Sequence, residues 1–320
     1  MIIKVWYSNF WKTKKHEFEN SIFTQYLKTR YPQHDFVVNR YNPDIVFYSV
    51  FNGRLDTSFS GAIKVMVVYE NLYRKRAEKF KRVYEQAVNN DFDYFIVYDD
   101  VVETPNNAYC IRLPCWYYDK DFYKKDQSEC YEFVKKYSKP LYVESLKDKK
   151  NGCLIGRSDI GNYRTMLLSF FKDTMHVDCP SHIGRNCESI ESRGQTKHEF
   201  CCEYIFNFCP ENSYCRGYVT EKLFDACFAC NIPIYSGYID HEKSIFNMDR
   251  VIYIKDFKNV ESVNNAVVKV KYLLENEEEL LKFYNQNIFN ENSLVEIQKY
   301  EKVFDDMMDH CMHRVVSLKK

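Results

Sequence analysis

Residues 206–237, FNFCPENSYCRGYVTEKLFDACFACNIPIYSG, gather Asn212, Tyr218, Glu221 and Lys222 into one short polar stretch. An amide, a phenol, a carboxylate and an ammonium this close in sequence suit a polar, anionic ligand. The stretch reads as strand, polar loop, helix and strand. Phe206–Phe208 is apolar, Pro210 and Asn212 break the run, and Gly217 permits a turn. Thr220 can cap a helix that begins at Glu221 and Lys222 and buries Leu223, Phe224 and Cys227. Asn231 stops that helix, and Ile232–Tyr235 is the next strand, closed by Gly237. In an α/β protein, a loop feeding a helix N-terminus is where a phosphate is held, because unpaired N–H groups and the helix dipole both point at it.

The rest of the chain supplies elements to carry such a site. A strand opens at 2–11, and helical spacing follows at 14–31 through Phe18, Ile22, Phe23, Tyr26 and Leu27. Short apolar runs at 36–38, 45–48, 63–69, 94–97 and 109–113 read as strands, with a basic helix from about Arg74 to Val88. The run at 63–69 delivers Glu70 and Asn71 at its C-terminal edge. Strands alternating with helices imply a mostly parallel sheet covered on both faces. The charged segment 145–152 reads as a linker. A second α/β run then begins with a strand at 153–156 and a helix at 163–172 that Arg164 leads. A strand at 176–178 follows, then a polar, mobile loop at 181–197 and a short helix at 198–204. Beyond Gly237 come a strand at 251–254, a helix at 260–276 and a C-terminal helix at 294–312. This divides the chain into an N-terminal domain at 1–145, a C-terminal domain at 150–293, and a C-terminal helix and tail at 294–320.

Composition narrows the partners. The 320 residues suit two domains of ordinary size. Net charge is zero, so no broad basic face is implied and nucleic acid is not an expected partner. Aromatics reach 17%, which favours packed globular structure over disorder. The start MIIKVWYSNFW is too short an apolar run for a secretory signal, and Lys4 interrupts it. No stretch approaches the ~20 apolar residues of a membrane span. The thirteen cysteines are therefore expected as free thiols in a reducing, cytoplasmic setting; a Golgi-lumen location would require that an anchor had been removed. Cys227 and Cys230 form a C-x-x-C, with Cys201, Cys202, Cys209 and Cys215 nearby. A second regular pair is missing, so small apolar packing residues are the expectation over zinc.

The run PENSYCRGYVTEKLFDACFACNIPIYSG resembles the donor-binding signature of the α1,3/4-fucosyltransferases, glycosyltransferase family 10, written F-E-N-S…Y-V-T-E-K-L…P-I/V-Y/V-x-G. Glu211, Asn212, Ser213, Tyr218, Val219, Thr220, Glu221 and Lys222 match, while Pro210 stands where the family has Phe. VWYSNFW, VVYEN, FDYFIVYDD and IRLPCWYYD echo other parts of the family, so the resemblance extends over most of the chain. It implies the GT-B fold, two Rossmann-like domains facing a cleft. A GDP-sugar would bind in the C-terminal half and the acceptor in the N-terminal half.

Displacing GDP from a sugar carbon builds positive charge on the ring and negative charge on the departing pyrophosphate. Such a site needs cations or N–H groups at the phosphates and a carboxylate near the ring. Lys222 lies in the first turn of its helix, and Arg164 matches the family's phosphate-binding arginine, whose planar fork suits two phosphate oxygens. The resemblance places Glu221 at the fucose, and Asn212 and Tyr218 at pyrophosphate, ribose or sugar hydroxyls. Glu221 and Lys222 are adjacent, and adjacent helix residues are not expected to face each other. Inversion also needs a base for the acceptor hydroxyl, and Glu70 resembles the family position, with Asn71-Leu72-Tyr73 in place of the common Ser-Pro.

The reading is therefore transfer of L-fucose from GDP-fucose to a hydroxyl of an N-acetylglucosamine-containing glycan with an α1,3 linkage. The partners are the donor and an oligosaccharide or glycoconjugate acceptor. No metal is required, since Lys and Arg neutralise the phosphates, and a divalent ion would act only as a stimulator. Asp99-Asp100 is a weak basis for a metal motif. Alternatives are transfer of another GDP-sugar, an inactive glycan- or nucleotide-binding module, and a thiol–metal regulator built on the cysteines.

Overall fold

In the computed structural model the described residues are 1–10, 15–74, 76–99, 102, 104–105, 107–124, 128–157, 163–255 and 259–320, the side chains of Lys15 and His16 excepted. Trp11, Lys75 and Asp100, which the sequence reading used, lie outside them. The chain forms two compact units, Met1–Ser128 with Gln298–Lys320, and Glu129–Ile297.

Among the described residues, the first unit holds a six-stranded sheet in the order β2-β1-β3-β4-β5-β6. The strands are β1 (Ile2–Ser8), β2 (Asp35–Val38), β3 (Ile45–Tyr48), β4 (Ile63–Val67), β5 (Tyr94–Val97) and β6 (Tyr109–Arg112). All their pairings are parallel. β3 and β5 are buried at every residue, as strands covered on both faces must be. The helical spacing at 14–31 resolves into two helices, α1 (Lys15–Glu19) and α2 (Ile22–Arg30). Ser21 separates them because its hydroxyl caps α2 by accepting from Thr24 N. The connecting helices are α3 (Glu78–Val88) and α4 (Cys115–Asp119).

The second unit carries five strands in the order β11-β10-β9-β7-β8, again parallel throughout. These are β7 (Lys150–Leu154), β8 (Val177–Asp178), β9 (Tyr204–Phe208), β10 (Ile232–Tyr235) and β11 (Ile252–Tyr253). Its helices are α5 (Glu129–Tyr137), α6 (Tyr163–Phe171), α7 (Lys197–Cys202), α8 (Glu221–Phe228), α9 (Val260–Glu275) and α10 (Glu277–Tyr284). Phe171 packs edge-on to Phe208 at 5.0 Å, and Val263, Val270 and Leu273 of α9 join the same core.

Counted within each unit, the first sheet has the order 2-1-3-4-5-6 and the second the order 2-1-3-4-5. The direction of strand addition reverses between strands one and three, and in open α/β sheets ligands bind beyond the carboxyl ends of the strands at that reversal. In the second unit the reversal lies between β7 and β9.

Two boundaries differ from the sequence reading. Residues 129–144 belong to the second unit. Leu141 N–H donates to Asn285 O at 2.8 Å, the Asn285 side chain bonds both backbone groups of Val143, and Phe133 packs on Phe228 at 4.5 Å. The final helix, α11 (Ser293–Leu318), is not a separate appendage, since its residues from Gln298 complete the first unit. Tyr26 donates to Asp305 at 2.5 Å, Tyr31 and Arg30 reach Asp309, and Phe304, Met307, Met308 and Cys311 are buried. The polar loop 181–197 is pinned. Arg193 and Gln195 both bond Glu203, and Asn186 bonds the backbone of Val177 and Cys179.

Candidate functional site

The reversal between β7 and β9 opens onto a recess lined by Ile155, Arg164, Lys197, Asn207, Phe208, Cys209, Pro210, Lys222 and Asp225. Parallel pairing sets Cys153 beside Asn207 and Leu154 beside Phe208, so both strands end at the recess. Two of the six expected site residues, Arg164 and Lys222, lie directly on its wall.

Arg164, the second residue of α6, is 5% exposed and not a surface cation. Its guanidinium donates to Asn212 Oδ1 at 2.7 Å and to Pro210 O at 3.3 Å. Asn212 therefore acts on the arginine, which spends the amide's carbonyl on holding the fork in place. Tyr218 is buried, and its N–H closes a turn on Cys215 O with Gly217 at φ +67°.

The loop between β9 and α8 is organised by Glu211, which the sequence reading left without a role. Its N–H continues the β9–β10 ladder to Ser236 O at 2.8 Å. Its carboxylate, 1% exposed, accepts from Thr220 N–H at 2.8 Å, Thr220 Oγ1 at 2.7 Å, Lys222 Nζ at 3.2 Å and Tyr235 OH at 3.4 Å. Thr220 does occupy the N-cap, but its hydroxyl makes no capping bond; it turns instead to Glu211, to which it donates, and to Lys222, from which it accepts. Gly237 leaves the room this requires. A Cβ there would sit 2.4 Å from Tyr235 OH and 2.8 Å from Glu211 Cγ.

Lys222 Nζ donates to Glu211, to Thr220 Oγ1 at 2.6 Å and to Glu221 Oε1 at 3.3 Å. The expectation that Glu221 and Lys222 do not face each other is thus corrected. Helix side chains tilt toward the N-terminus, and the long lysine folds back over the first turn to reach its neighbour. Burial works against the Lys222 ammonium, but Glu211 and Glu221 outweigh both burial and Arg164 and raise its pKa above the ordinary lysine value. Burial likewise pushes Glu221 up, yet the charges of Lys222 and Lys197 bring it down to about 2. Glu221 is therefore a carboxylate at any ordinary pH. Lys197, the first residue of α7, forms a close ion pair with Asp225 of α8 on the recess wall. This pair too was absent from the sequence reading, since nothing in its spacing marks it.

Asn231 does not end α8, which stops at Phe228; Cys230, at φ +56°, turns the chain. Asn231 is buried and ties the recess floor together by accepting from Asn207 Nδ2 at 3.1 Å and donating to Cys201 O and Tyr204 O. The thirteen cysteines are free thiols. Cys153 and Cys201 pack with Phe200, Tyr204 and Ala229, and among the described residues no three His, Cys, Asp or Glu side chains are grouped to hold a metal ion.

In the first unit, Glu70 follows β4 and pairs with Arg74 at 3.3 Å, at 18% side-chain exposure. The corner that carries it is fixed. Asn71 Oδ1 accepts from Tyr73 N–H at 2.8 Å, Leu72 N–H reaches Tyr98 OH at 3.4 Å, and Tyr69 packs edge-on to Tyr118 at 4.9 Å.

The sequence model of glycosyltransferase family 10 (fucosyltransferase), C-term, matches residues 145–314. The alpha-(1,3)-fucosyltransferase FucT of Helicobacter pylori is 27% identical over 314 residues, a match over 90% of this chain and 60% of that protein. The chain thus spans about 60% of the length of that relative. The putative fucosyltransferase R654 of Acanthamoeba polyphaga mimivirus is 34% identical over 92 residues, 24% of this chain and 15% of that protein. A crystal structure of alpha1,3-fucosyltransferase superimposes with a TM-score of 0.66 at 21% identity, covering 96% of this chain and 90% of that one. A structure of alpha1,3-fucosyltransferase with GDP-fucose gives 0.62 at 20% identity, covering 95% and 89%. At these identities the structural likeness shows a shared fold. Among the described residues, no helix is long and apolar enough to cross a membrane.

Proposed function

The chain belongs to glycosyltransferase family 10, the fucosyltransferases, with an α/β fold of GT-B type; from that premise we propose that it transfers L-fucose from GDP-fucose to a hydroxyl of an N-acetylglucosamine-containing glycan, forming an α1,3 linkage. The observation that carries this reading is the recess at the β7/β9 reversal, where Arg164 and the first turn of α8 supply a guanidinium, an ammonium and helix N–H groups.

In this reading Arg164 and Lys222 hold the diphosphate and stabilise the charge that grows on it as the glycosidic bond breaks. Glu221, ionised beside Lys222, faces the sugar and offsets positive charge on the ring. Asn212 holds Arg164 to the phosphates, and Tyr218 shapes the loop. Glu70 accepts the hydroxyl proton as the acceptor oxygen bonds to the anomeric carbon. The products are the fucosylated glycan, GDP and one proton. No metal enters these steps, since the side chains supply the positive charge themselves.

Calorimetry with GDP-fucose, GDP and UDP, followed by mass analysis of an acceptor array, tests the proposal. GDP and GDP-fucose should bind and an N-acetylglucosamine-containing acceptor should gain one fucose. Binding of UDP in place of GDP, or sugar transfer only from other GDP-sugars, rejects it.

A further inference from the structure

We propose that Glu211 is the positioning residue that fixes the Lys222 ammonium at the donor recess and keeps it charged there. This rests on the donor reading above and assigns work to a residue that reading does not use.

The hydrogens can be traced. The Thr220 hydroxyl gives its hydrogen to Glu211 Oε2 at 2.7 Å, and its free lone pair accepts from Lys222 Nζ at 2.6 Å. Lys222 also donates to Glu211 Oε2 at 3.2 Å, which closes a triangle of carboxylate, hydroxyl and ammonium. The second carboxylate oxygen is held by Thr220 N–H and Tyr235 OH. Glu211 is itself locked by its backbone bond to Ser236 and by the close approach of Gly237.

The third hydrogen of the ammonium points to Glu221. Glu211 is 1% exposed and Glu221 is 31% exposed. An arriving diphosphate oxygen therefore replaces Glu221, the outer and longest of the three contacts. The triangle stays intact, so the lysine meets the phosphate already oriented, and the released Glu221 carboxylate is free to turn toward the sugar. The charged groups facing Lys222 are Glu211 and Glu221, which favour its proton, and Arg164, which opposes it. Without Glu211, the buried lysine keeps one carboxylate against the guanidinium and loses its proton more readily.

Glu211→Gln tests this while preserving shape, because its NH2 must confront either Thr220 N–H or the ammonium. Affinities for GDP and guanosine are measured by calorimetry at pH 7 and pH 9.5. The expected result is a loss of GDP affinity of about tenfold or more, with guanosine affinity unchanged and a deficit that widens at pH 9.5. Thr220→Ala, which keeps the carboxylate, should lose GDP affinity several-fold with no widening. If the wild type binds GDP and Glu211→Gln binds it equally, or loses GDP and guanosine alike, or shows the same deficit at both pH values, the inference fails while the donor reading stands. A wild type that binds no GDP removes both. Should Glu211→Gln not fold, NMR titration of ¹³C-lysine in the wild type decides, with Lys222→Arg identifying the signal. Deprotonation above the ~10.4 of a free lysine is expected, and deprotonation below it overturns the proposal.

Discussion

The guanidinium of Arg164 donates to the side-chain oxygen of Asn212 at 2.7 Å, across 48 positions of sequence. This joins the start of α6 to the loop before α8. Removing Arg164 and removing its holder should therefore weaken the same ligand by different amounts. Arg164→Ala should lower GDP affinity about 100-fold, and Asn212→Ala about 3- to 10-fold, the net worth of one ordinary hydrogen bond, because Asn212 acts only by holding the guanidinium. Arg164→Lys should recover only part, because an ammonium lacks the planar fork. Calorimetry checks all three, and equal affinity in Asn212→Ala would remove the orienting role.

Glu70→Gln should separate chemistry from donor binding. The substitution keeps the corner fixed by Asn71 and Tyr98. The transfer rate should fall by a factor of about 10²–10⁴, with GDP affinity unchanged, because the base acts on the acceptor. Steady-state kinetics beside GDP titration gives the answer. A variant that still transfers at the wild-type rate would move the base elsewhere.

Gly237→Ala should cost stability and ligand affinity together. Its added carbon would meet Tyr235 OH at 2.4 Å and Glu211 Cγ at 2.8 Å, both packed groups with little room to move. A loss of about 1–3 kcal/mol is expected from overpacking. Urea denaturation measures it, and the surviving folded protein should bind GDP more weakly than wild type.

Acid stability should depend on Glu203. Burial raises its pKa, but Arg193, Gln195 and Lys150 bring it down to about 2, against an ordinary 4.5. A depressed carboxylate stabilises the fold above pH 4.5, and that contribution fades as pH falls from 4.5 toward 2. At 26% side-chain exposure, solvent screening leaves on the order of 1–2 kcal/mol. Melting curves of wild type and Glu203→Gln should differ at pH 7 and converge near pH 2. Parallel curves would deny Glu203 this role.

The strands at 45–48, 94–97 and 232–235 were legible to the residue, because parallel strands buried on both faces appear as nearly unbroken apolar runs. Three helices were not. Cys115–Asp119 is a single turn of aromatic residues with strand-like composition. Glu129–Tyr137 buries only Val134 and so shows little apolar periodicity, while Glu277–Tyr284 follows α9 with only Asn276 between. In the site, Lys222 and the loop that holds Asn212 could be read from the 206–237 motif and Arg164 from the family resemblance, and the structure places Arg164 and Lys222 on one recess. The work of Glu211 could not be read so. Its bonds to Thr220 and Tyr235 depend on how β9 sits against β10, and a one-residue slip in that register would turn the carboxylate away.

The return of α11 to the first unit also makes that unit discontinuous in sequence. The second unit is one continuous segment, Glu129–Ile297, and all of it has been synthesised before residue 298. The first unit's sheet precedes it in sequence, yet that unit's core is incomplete without Phe304, Met307, Met308 and Cys311, which follow it. The first unit therefore closes its core through contacts between its two distant segments, such as the bond from Tyr26 to Asp305 across 279 positions, while the second unit can close from one continuous segment.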